Sequence, residues 1–294
     1  MKILLTFASL LVFLLPSLAQ EPHILQDIPY IANGHERQVL DVYLPENIDS
    51  PVPTLLMIHG GGFIFGDKDE MRSVAQFFQE AGYATVAPNY RLAPDYTYPA
   101  QIEDVFCALA WTVNHAEEYG FDLTRLVLVG ESAGANAAAL LGTVDIPEQY
   151  LTDCPYSLPD SFQARAVVAY YMPVDLTSCD CVAAQQMAAL YLGIPQEETS
   201  HTETMQDRWA DASPLYWIDE NDPPFLLVHG ERDSLVPLSE SLAFQQAYEA
   251  VGGEVTLITV PLLNHGFFRL TWLPPVQNAL EDVQQFIADV LAEE

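Results

Sequence analysis

The chain has 294 residues and a formal net charge of −31 at pH 7, because 41 acidic side chains face only 10 lysines and arginines. So strong a negative charge argues against nucleic-acid phosphates and anionic lipid surfaces as partners. Hydrophobic residues make up 50% of the chain. That is enough to build a sizeable core, and the length fits a single α/β domain.

The first residues predict a secretory signal peptide. Lys2 precedes an apolar stretch from Ile3 to Leu15, and Ser17-Leu18-Ala19 supplies the small-residue end typical of a cleavage site. The apolar stretch is short for a membrane span, which needs about 20 apolar residues. We therefore expect a signal peptide at 1–19, a secreted or periplasmic mature domain at 20–294, and no stable membrane insertion after cleavage.

Apolar runs alternate with helical patterns along the rest of the chain, which is typical of a mainly parallel sheet covered by helices on both faces. A leading hairpin is predicted from Ile28–Ile31 and Arg37–Tyr43 around the turn Asn33-Gly34. The further predicted strands are Thr54–His59, Ala84–Pro88, Leu126–Val129, Ala166–Tyr171, Phe225–His229 and Val255–Val260. The predicted helices are Asp69–Ala81, Ala100–Tyr119, Ser132–Leu141, Leu238–Ala250 and Pro275–Leu291.

Two stretches, at about 145–160 and 177–222, interrupt this alternation. We expect both to be insertions over the carboxyl edge of the sheet, where α/β folds place their ligand sites. The second stretch contains apolar side chains that either wall a pocket or pack onto the core: Met187, Leu190, Tyr191 and Leu192.

The chain contains four cysteines, and export would permit a disulfide. Cys107 lies in a helical pattern among apolar residues, which predicts a buried thiol. Cys154 is predicted to pair with Cys179 or Cys181. Two cysteines without a second pair or a nearby histidine are a weak zinc pattern, so no metal site is predicted.

The segment Gly130-Glu131-Ser132-Ala133-Gly134 fits the pattern G-x-S-x-G between a predicted strand and a predicted helix. A strand that turns directly into a helix strains its corner residue, and the flanking glycines let the two elements approach each other. The Ser132 hydroxyl then lies at a helix N-terminus, where the dipole favours developing negative charge. In this context the pattern predicts a nucleophile rather than a plain turn serine.

A serine hydroxyl needs a base to act as a nucleophile, and in this motif's fold the acid and then the histidine follow the serine. Three histidines follow Ser132: His201, His229 and His265. His265 lies in the loop after the last strand and is the predicted base. His201 is predicted to be a solvated surface residue, and His229 to serve packing and turn structure.

The acid is predicted to end the strand that precedes the histidine's strand. Asp233 follows Phe225–His229 and is expected to hold His265 in one tautomer. Glu231 is two residues too early and is expected to face solvent. Asp175, after the preceding strand, is the alternative acid; otherwise it is a cap or turn carboxylate.

The segment His59-Gly60-Gly61-Gly62-Phe63 follows the first core strand, where an H-G-G-G loop is expected to supply donors to an oxyanion. Glycines let the backbone N–H groups approach a substrate closely. The amides of Gly61, Gly62 and Ala133 are therefore the predicted oxyanion hole.

Together these residues resemble the hormone-sensitive-lipase-like and carbohydrate-esterase-like (BD-FAE-like) serine esterases. The resemblance rests on HGGGF at 59–63, YRLAP at 90–94 and GESAGAN at 130–136, and it extends from Gln38 to the C-terminus. Lipase-like members often have Asp where this chain has Glu131, which leaves the subfamily open. The resemblance implies an α/β-hydrolase fold with short cap insertions and the triad Ser132, Asp233 and His265.

These patterns predict a serine carboxylesterase that needs no cofactor and acts on a small-molecule or carbohydrate ester. Short acyl groups are expected, with acetyl or feruloyl esters on carbohydrate as candidates. A peptidase or amidase that uses the same triad is one alternative, and a non-catalytic binding module on the same scaffold is another.

Overall fold

A mainly parallel sheet forms the centre of the computed structural model, which describes residues 23–46, 50–145, 147–177, 182–194 and 203–292. The eight strands in these ranges are β1 (His23–Pro29), β2 (Val39–Leu44), β3 (Val52–Ile58), β4 (Ala84–Pro88), β5 (Phe121–Glu131), β6 (Ala166–Tyr170), β7 (Phe225–Gly230) and β8 (Val255–Val260). Their order is β1-β2-β4-β3-β5-β6-β7-β8. Strand β2 is antiparallel to both of its neighbours, and the pairs from β4 to β8 are parallel.

Helices cover both faces of this sheet. Those in the described ranges are α1 (Arg72–Glu80), α2 (Ala100–Asn114), α3 (Ala116–Tyr119), α4 (Ala133–Thr143), α5 (Val182–Leu192), α6 (Glu203–Asp211), α7 (Leu238–Val251) and α8 (Pro274–Ala292). One core lies between the sheet and α2, α4 and α7, and the other between the sheet and α1 and α8. Strands β4, β6 and β7 are buried along their whole length, which explains their continuous apolar sequences.

The prediction of a mainly parallel sheet with helices on both faces is confirmed, but two predicted helices differ in detail. The predicted helix Ala100–Tyr119 is interrupted at His115, whose φ of −106° and ψ of 13° separate α2 from α3. Its ring Nδ1 lies 2.8 Å from the Trp111 carbonyl oxygen, at the end of α2. The predicted helix Asp69–Ala81 starts as a 3₁₀ turn at Lys68–Met71 before α1 begins.

The disulfide prediction was wrong in its pairing. Cys107 on α2 is bonded to Cys154, so Cys107 is not a free buried thiol and Cys154 does not pair with Cys179 or Cys181. The latter two residues lie outside the described residues, as do His201 and the predicted signal peptide at 1–19.

The two predicted insertions differ in what they contact. The first packs along α2, where the Tyr150 ring stacks on Phe106 at a centroid distance of 5.1 Å. The second contains α5 and α6, which the sequence did not predict. Residues of α5 lie beside Ser132, so this helix lies over the carboxyl end of β5.

The described helices are either too short or too polar to span a bilayer.

Candidate active site

Ser132 occupies the corner between β5 and α4. Its φ of 55° and ψ of −120° are strained for a residue other than glycine. A Cβ on Gly130 would overlap the Gly134 carbonyl, and a Cβ on Gly134 would overlap the Ile58 carbonyl. The motif glycines are therefore required by the close approach of strand and helix. The Ser132 N–H donates to the Tyr170 carbonyl oxygen at 2.9 Å, which fixes the corner against β6.

The structure brings Ser132, His265 and Asp233 together in one hydrogen-bonded chain. His265 Nε2 lies 2.8 Å from Ser132 Oγ, and His265 Nδ1 lies 2.7 Å from Asp233 Oδ2. Asp233 lies in the loop after β7, and His265 lies in the loop after β8. Because adjacent parallel strands end at the same edge, two loops distant in sequence meet at the corner that carries Ser132.

The Asp233 carboxylate is completely buried and remains ionised. Burial by itself raises the pKa of a carboxyl group, but hydrogen bonds from His229 and His265, together with the Val236 N–H, hold the pKa of Asp233 well below its usual range. Asp233 Oδ1 also accepts from the N–H groups of Leu235 and Val236, at 2.9 and 2.8 Å. A fixed negative charge therefore faces His265 Nδ1.

His229 lies behind the acid, and sequence reasoning missed this contact. Its side chain is fully buried, with Nδ1 2.7 Å from Ser241 Oγ and Nε2 2.9 Å from the Val236 carbonyl oxygen. The same Nε2 lies 3.5 Å from Asp233 Oδ2. The predicted packing role is thus specific: His229 packs against the loop that holds the acid. The sequence signal for this contact is the spacing of His229 and Asp233, which lie four residues apart at the end of a strand.

The other sequence candidates lie elsewhere. Asp175 Oδ1 accepts from the N–H and the hydroxyl of Thr177, at 2.8 and 2.6 Å, which is the arrangement of a turn carboxylate. Glu231 is exposed and accepts from the Thr259 hydroxyl at 3.2 Å. Neither carboxylate lies in the hydrogen-bonded chain of Ser132.

The glycine loop (His59–Gly66) approaches Ser132 from the end of β3. Gly61 and Gly62 have φ values of 106° and 61°, which favour glycine. Within the described ranges, the N–H groups of Gly61, Gly62 and Ala133 donate to no other residue. These are the three amides predicted to hold an oxyanion.

Residues of the YRLAP stretch anchor the glycine loop. The Tyr90 hydroxyl donates to the carbonyl oxygens of His59 and Gly60, at 2.8 and 3.1 Å. The Ala93 N–H donates to the Phe63 carbonyl oxygen at 2.9 Å. This sequence motif therefore positions the loop, a role that the sequence alone did not reveal.

His59 is buried beneath the same loop in its neutral form. Burial and, to a smaller extent, the nearby Arg37 guanidinium lower the pKa of His59 to about 4, although its hydrogen bond to Gly60 opposes the shift. The His59 Nδ1–H donates to the Gly60 carbonyl oxygen at 2.7 Å, and Nε2 lies 3.4 Å from Arg37 Nη2. Arg37 in turn donates to the Gly66 carbonyl oxygen at 2.9 Å. A neutral His59 thus ties the start of the loop to its end.

A cavity of about 60 Å³ opens beside Ser132. It is largely apolar and is lined by Gly62, Phe63, Ser132, Ala133, Pro173, Leu176, Met187, Ala188, Tyr191, Leu235 and Val236. Met187 and Tyr191 therefore wall a pocket, whereas Leu192 packs in the core and Leu190 is exposed. The Tyr191 ring stacks on Phe63 at a centroid distance of 4.1 Å, which joins α5 to the glycine loop.

The strand order with one reversed strand and the strained serine after β5 define the α/β-hydrolase fold. A model of the BD-FAE family matches residues 40–248, and the chain belongs to that family.

Comparison with known proteins agrees with this assignment. The chain is 30% identical to the probable carboxylic ester hydrolase LipM of Mycobacterium tuberculosis, over 90% of this chain and 61% of that protein. It therefore spans less than two thirds of that relative's length. It is 28% identical to an ethyl acetate hydrolase of Pseudomonas putida, over 86% of this chain and 78% of that protein.

Among solved structures, the fold resembles a truncated carbohydrate esterase from gut microbiota. The TM-score is 0.78 at 24% identity, and the match covers 95% of this chain and 99% of the other.

Proposed function

We propose that the chain is a serine carboxylesterase that hydrolyses short acyl esters through an acyl-enzyme. The observation that carries this proposal is the hydrogen-bonded chain Ser132–His265–Asp233, which opens on a small apolar pocket. The similarity to an ethyl acetate hydrolase supports it further.

In the proposed reaction, Ser132 Oγ attacks the ester carbonyl carbon and His265 Nε2 takes the hydroxyl proton. The His265 imidazolium is stabilised by the Asp233 carboxylate, 2.7 Å from Nδ1. His265 then protonates the departing alcohol, which leaves the acyl group on Ser132. His265 then takes a proton from a water molecule, whose oxygen attacks the acyl carbon. The bond between this carbon and Ser132 Oγ breaks, His265 returns the proton to Oγ, and the carboxylic acid leaves.

The oxyanion that forms in each step is assigned to the amides of Gly61, Gly62 and Ala133. Two of these residues line the pocket with Ser132, and all three N–H groups lack a partner within the described ranges. One such donor typically contributes about 3 kcal/mol of transition-state stabilisation.

The size of the pocket favours small acyl groups. A cavity of about 60 Å³ with a largely apolar lining favours an acetyl or propionyl group over a bulky feruloyl group. Of the carbohydrate esters suggested by the sequence, acetyl esters therefore fit best.

The test is the turnover of p-nitrophenyl acetate by the wild-type enzyme and by Ser132→Ala. Removing the serine of such a triad typically costs on the order of 10⁶ in kcat. Ser73→Ala, an exposed serine on α1, is the matched control and should keep wild-type turnover. Near-normal hydrolysis by Ser132→Ala would refute the assignment.

Parallel assays separate the substrate classes. Acetylated xylan should be deacetylated, and methyl ferulate should be a poor substrate. Faster cleavage of an acetyl p-nitroanilide than of the matched ester would instead indicate an amidase. A wild-type protein that neither turns over these substrates nor reacts with a fluorophosphonate would indicate a binding module.

We also propose that the chain is exported. The signal-peptide pattern up to Ala19 supports export, and so does the Cys107–Cys154 disulfide, since such bonds persist in oxidising compartments. N-terminal sequencing of the protein from a secreting host should show Gln20 as the first residue. An uncleaved protein confined to the cytoplasm would contradict export.

A further inference from the structure

Glu131, which directly precedes Ser132, makes contacts that the proposed reaction does not use. Its side chain is buried, and the residue is only 5% exposed. Glu131 Oε1 accepts from the Gly60 N–H at 2.9 Å, and Oε2 accepts from the Tyr171 hydroxyl at 2.9 Å. One carboxylate therefore joins the residue before the oxyanion glycines to the tyrosine after β6.

Gly60 packs directly on this carboxylate. A Cβ at Gly60 would lie 2.6 Å from Glu131 Oε1 and 2.8 Å from its Cδ. The first glycine of the triplet is therefore required by its contact with Glu131. Since the Gly60 carbonyl oxygen is held by Tyr90 and His59, both polar groups of this residue are fixed.

Tyr171 extends the same connection to the histidine loop (Pro261–Phe268). Its hydroxyl accepts from the Phe268 N–H at 3.2 Å while it donates to Glu131. Its ring lies against the His265 ring, with a centroid distance of 4.5 Å. The hydroxyl thus contacts the histidine loop at Phe268, and the ring contacts the base itself.

We propose that Glu131 and Tyr171 are positioning residues that fix the glycine loop and the histidine loop relative to each other and to Ser132. The inference rests on the proposed esterase function. Glu131 is the last residue of β5 and directly precedes Ser132, so its hydrogen bond to the Gly60 N–H fixes the oxyanion glycines relative to the nucleophile. Tyr171 in turn fixes the histidine loop relative to Glu131, through its contacts with Phe268 and His265.

The chemistry of the contacts explains why these residue types serve. A carboxylate offers two acceptors that can each face a separate donor. Glutamine keeps a carbonyl oxygen that can accept from the Gly60 N–H, but its NH₂ group then faces the Tyr171 hydroxyl. That hydroxyl loses its acceptor and is left with two donors, the NH₂ group and the Phe268 N–H. Alanine removes both acceptors and leaves a buried N–H without a partner. Aspartate is one methylene shorter and cannot reach both donors from the same backbone position.

The expected effect lies in kcat rather than in substrate binding, because neither side chain lines the pocket. Loss of an oxyanion donor lowers kcat by about 10²–10³. Displacement of the donors without their loss should therefore lower kcat by roughly 10- to 100-fold in Glu131→Ala. KM should change little, Glu131→Gln should retain more activity than Glu131→Ala, and Tyr171→Phe should fall between wild type and Glu131→Ala.

The test measures kcat and KM for p-nitrophenyl acetate, together with the inhibition constant of a trifluoromethyl ketone that forms a hemiketal with Ser132. The inhibition constant should rise in proportion to the loss of kcat/KM, because the hemiketal oxyanion needs the same amides. The losses in Glu131→Ala and Tyr171→Phe should not multiply in the double variant, since Tyr171 acts through Glu131. Tyr43→Phe is the matched control: this buried hydroxyl on β2 has no partner in the described structure.

The outcomes are distinguishable. If the wild type is active, Ser132→Ala is inactive, and Glu131→Ala and Tyr171→Phe keep wild-type kcat and inhibitor affinity, the positioning role is overturned while the esterase function stands. An inactive wild type overturns both. If Glu131→Ala does not fold, Tyr171→Phe carries the test, because it keeps the ring and loses only the hydroxyl contacts.

Discussion

Shortening Met187 should shift the proposed esterase toward longer acyl groups. Met187 reaches from α5 to the glycine loop, and a side chain at Gly62 would collide with its terminal methyl group. It also lines the cavity of about 60 Å³ beside Ser132. Met187→Ala removes three heavy atoms from the wall of this cavity, which makes room for about two further acyl methylenes.

The size of the shift follows from the area that these methylenes bury. Each buried methylene contributes about 0.8 kcal/mol. Butyrate has two more than acetate, so the change is about 1.6 kcal/mol, or roughly 15-fold at 1.4 kcal/mol per decade. The ratio of kcat/KM for p-nitrophenyl butyrate to that for the acetate should rise by this factor in Met187→Ala.

The matched control is Leu190→Ala, on the same helix. Leu190 is 38% exposed and does not line the cavity, so its variant should keep the wild-type ratio of butyrate to acetate. A ratio unchanged in Met187→Ala would refute the reasoning, because it would show that Met187 does not limit the acyl chain. An equal change in both variants would point to a general loosening of α5.

Two further predictions concern stability. The pKa of His59 is lowered to about 4 in the folded protein, against about 6.5 in an unfolded chain. The unfolded chain therefore binds one more proton than the folded chain between these pH values. The contribution of His59 to the free energy of unfolding is fully present above pH 6.5, and about 3 kcal/mol of it should be lost as the pH falls to 4. Urea denaturation across this pH range should show that the free energy of unfolding falls less steeply in His59→Gln than in the wild type, and as steeply in the control His23→Gln. The same pH dependence in all three proteins would contradict a neutral, buried His59. The Cys107–Cys154 bridge closes a loop with a sequence separation of 47, so Cys154→Ser should lower the free energy of unfolding by about 2–4 kcal/mol and leave kcat/KM unchanged, whereas a loss of activity at full stability would contradict a purely structural role.

The sequence predicted the sheet well because the relevant signals are local. The strands buried on both faces read as short continuous apolar runs, and the G-x-S-x-G pattern needs only the elements on either side of it. The order of Ser132, Asp233 and His265 follows from strand order, since each lies just after a predicted strand. These residues are brought together by topology, which the alternation of strands and helices already indicates.

What the sequence did not predict depends on packing between distant segments. Cys107 was recognisable as buried, but its bond to Cys154 depends on how the first insertion lies along α2. No glycine or proline marks the break at His115, and the helix ends where the His115 ring meets the Trp111 carbonyl. Helix α5 lies in an insertion whose sequence shows no single apolar face, and its place beside the glycine loop is a tertiary contact.

Glu131 shows how the site depends on residues that a motif leaves unspecified. The pattern G-x-S-x-G treats this position as free, yet its carboxylate holds Gly60 and Tyr171, which lie 71 and 40 residues away. Aspartate, which lipase-like members often carry here, would be too short to hold both partners in this backbone. An exchange of Glu131 for aspartate in this chain would therefore need a new partner for the Gly60 N–H or a shift of the glycine loop, and the motif, the loop and Tyr171 form one structural unit.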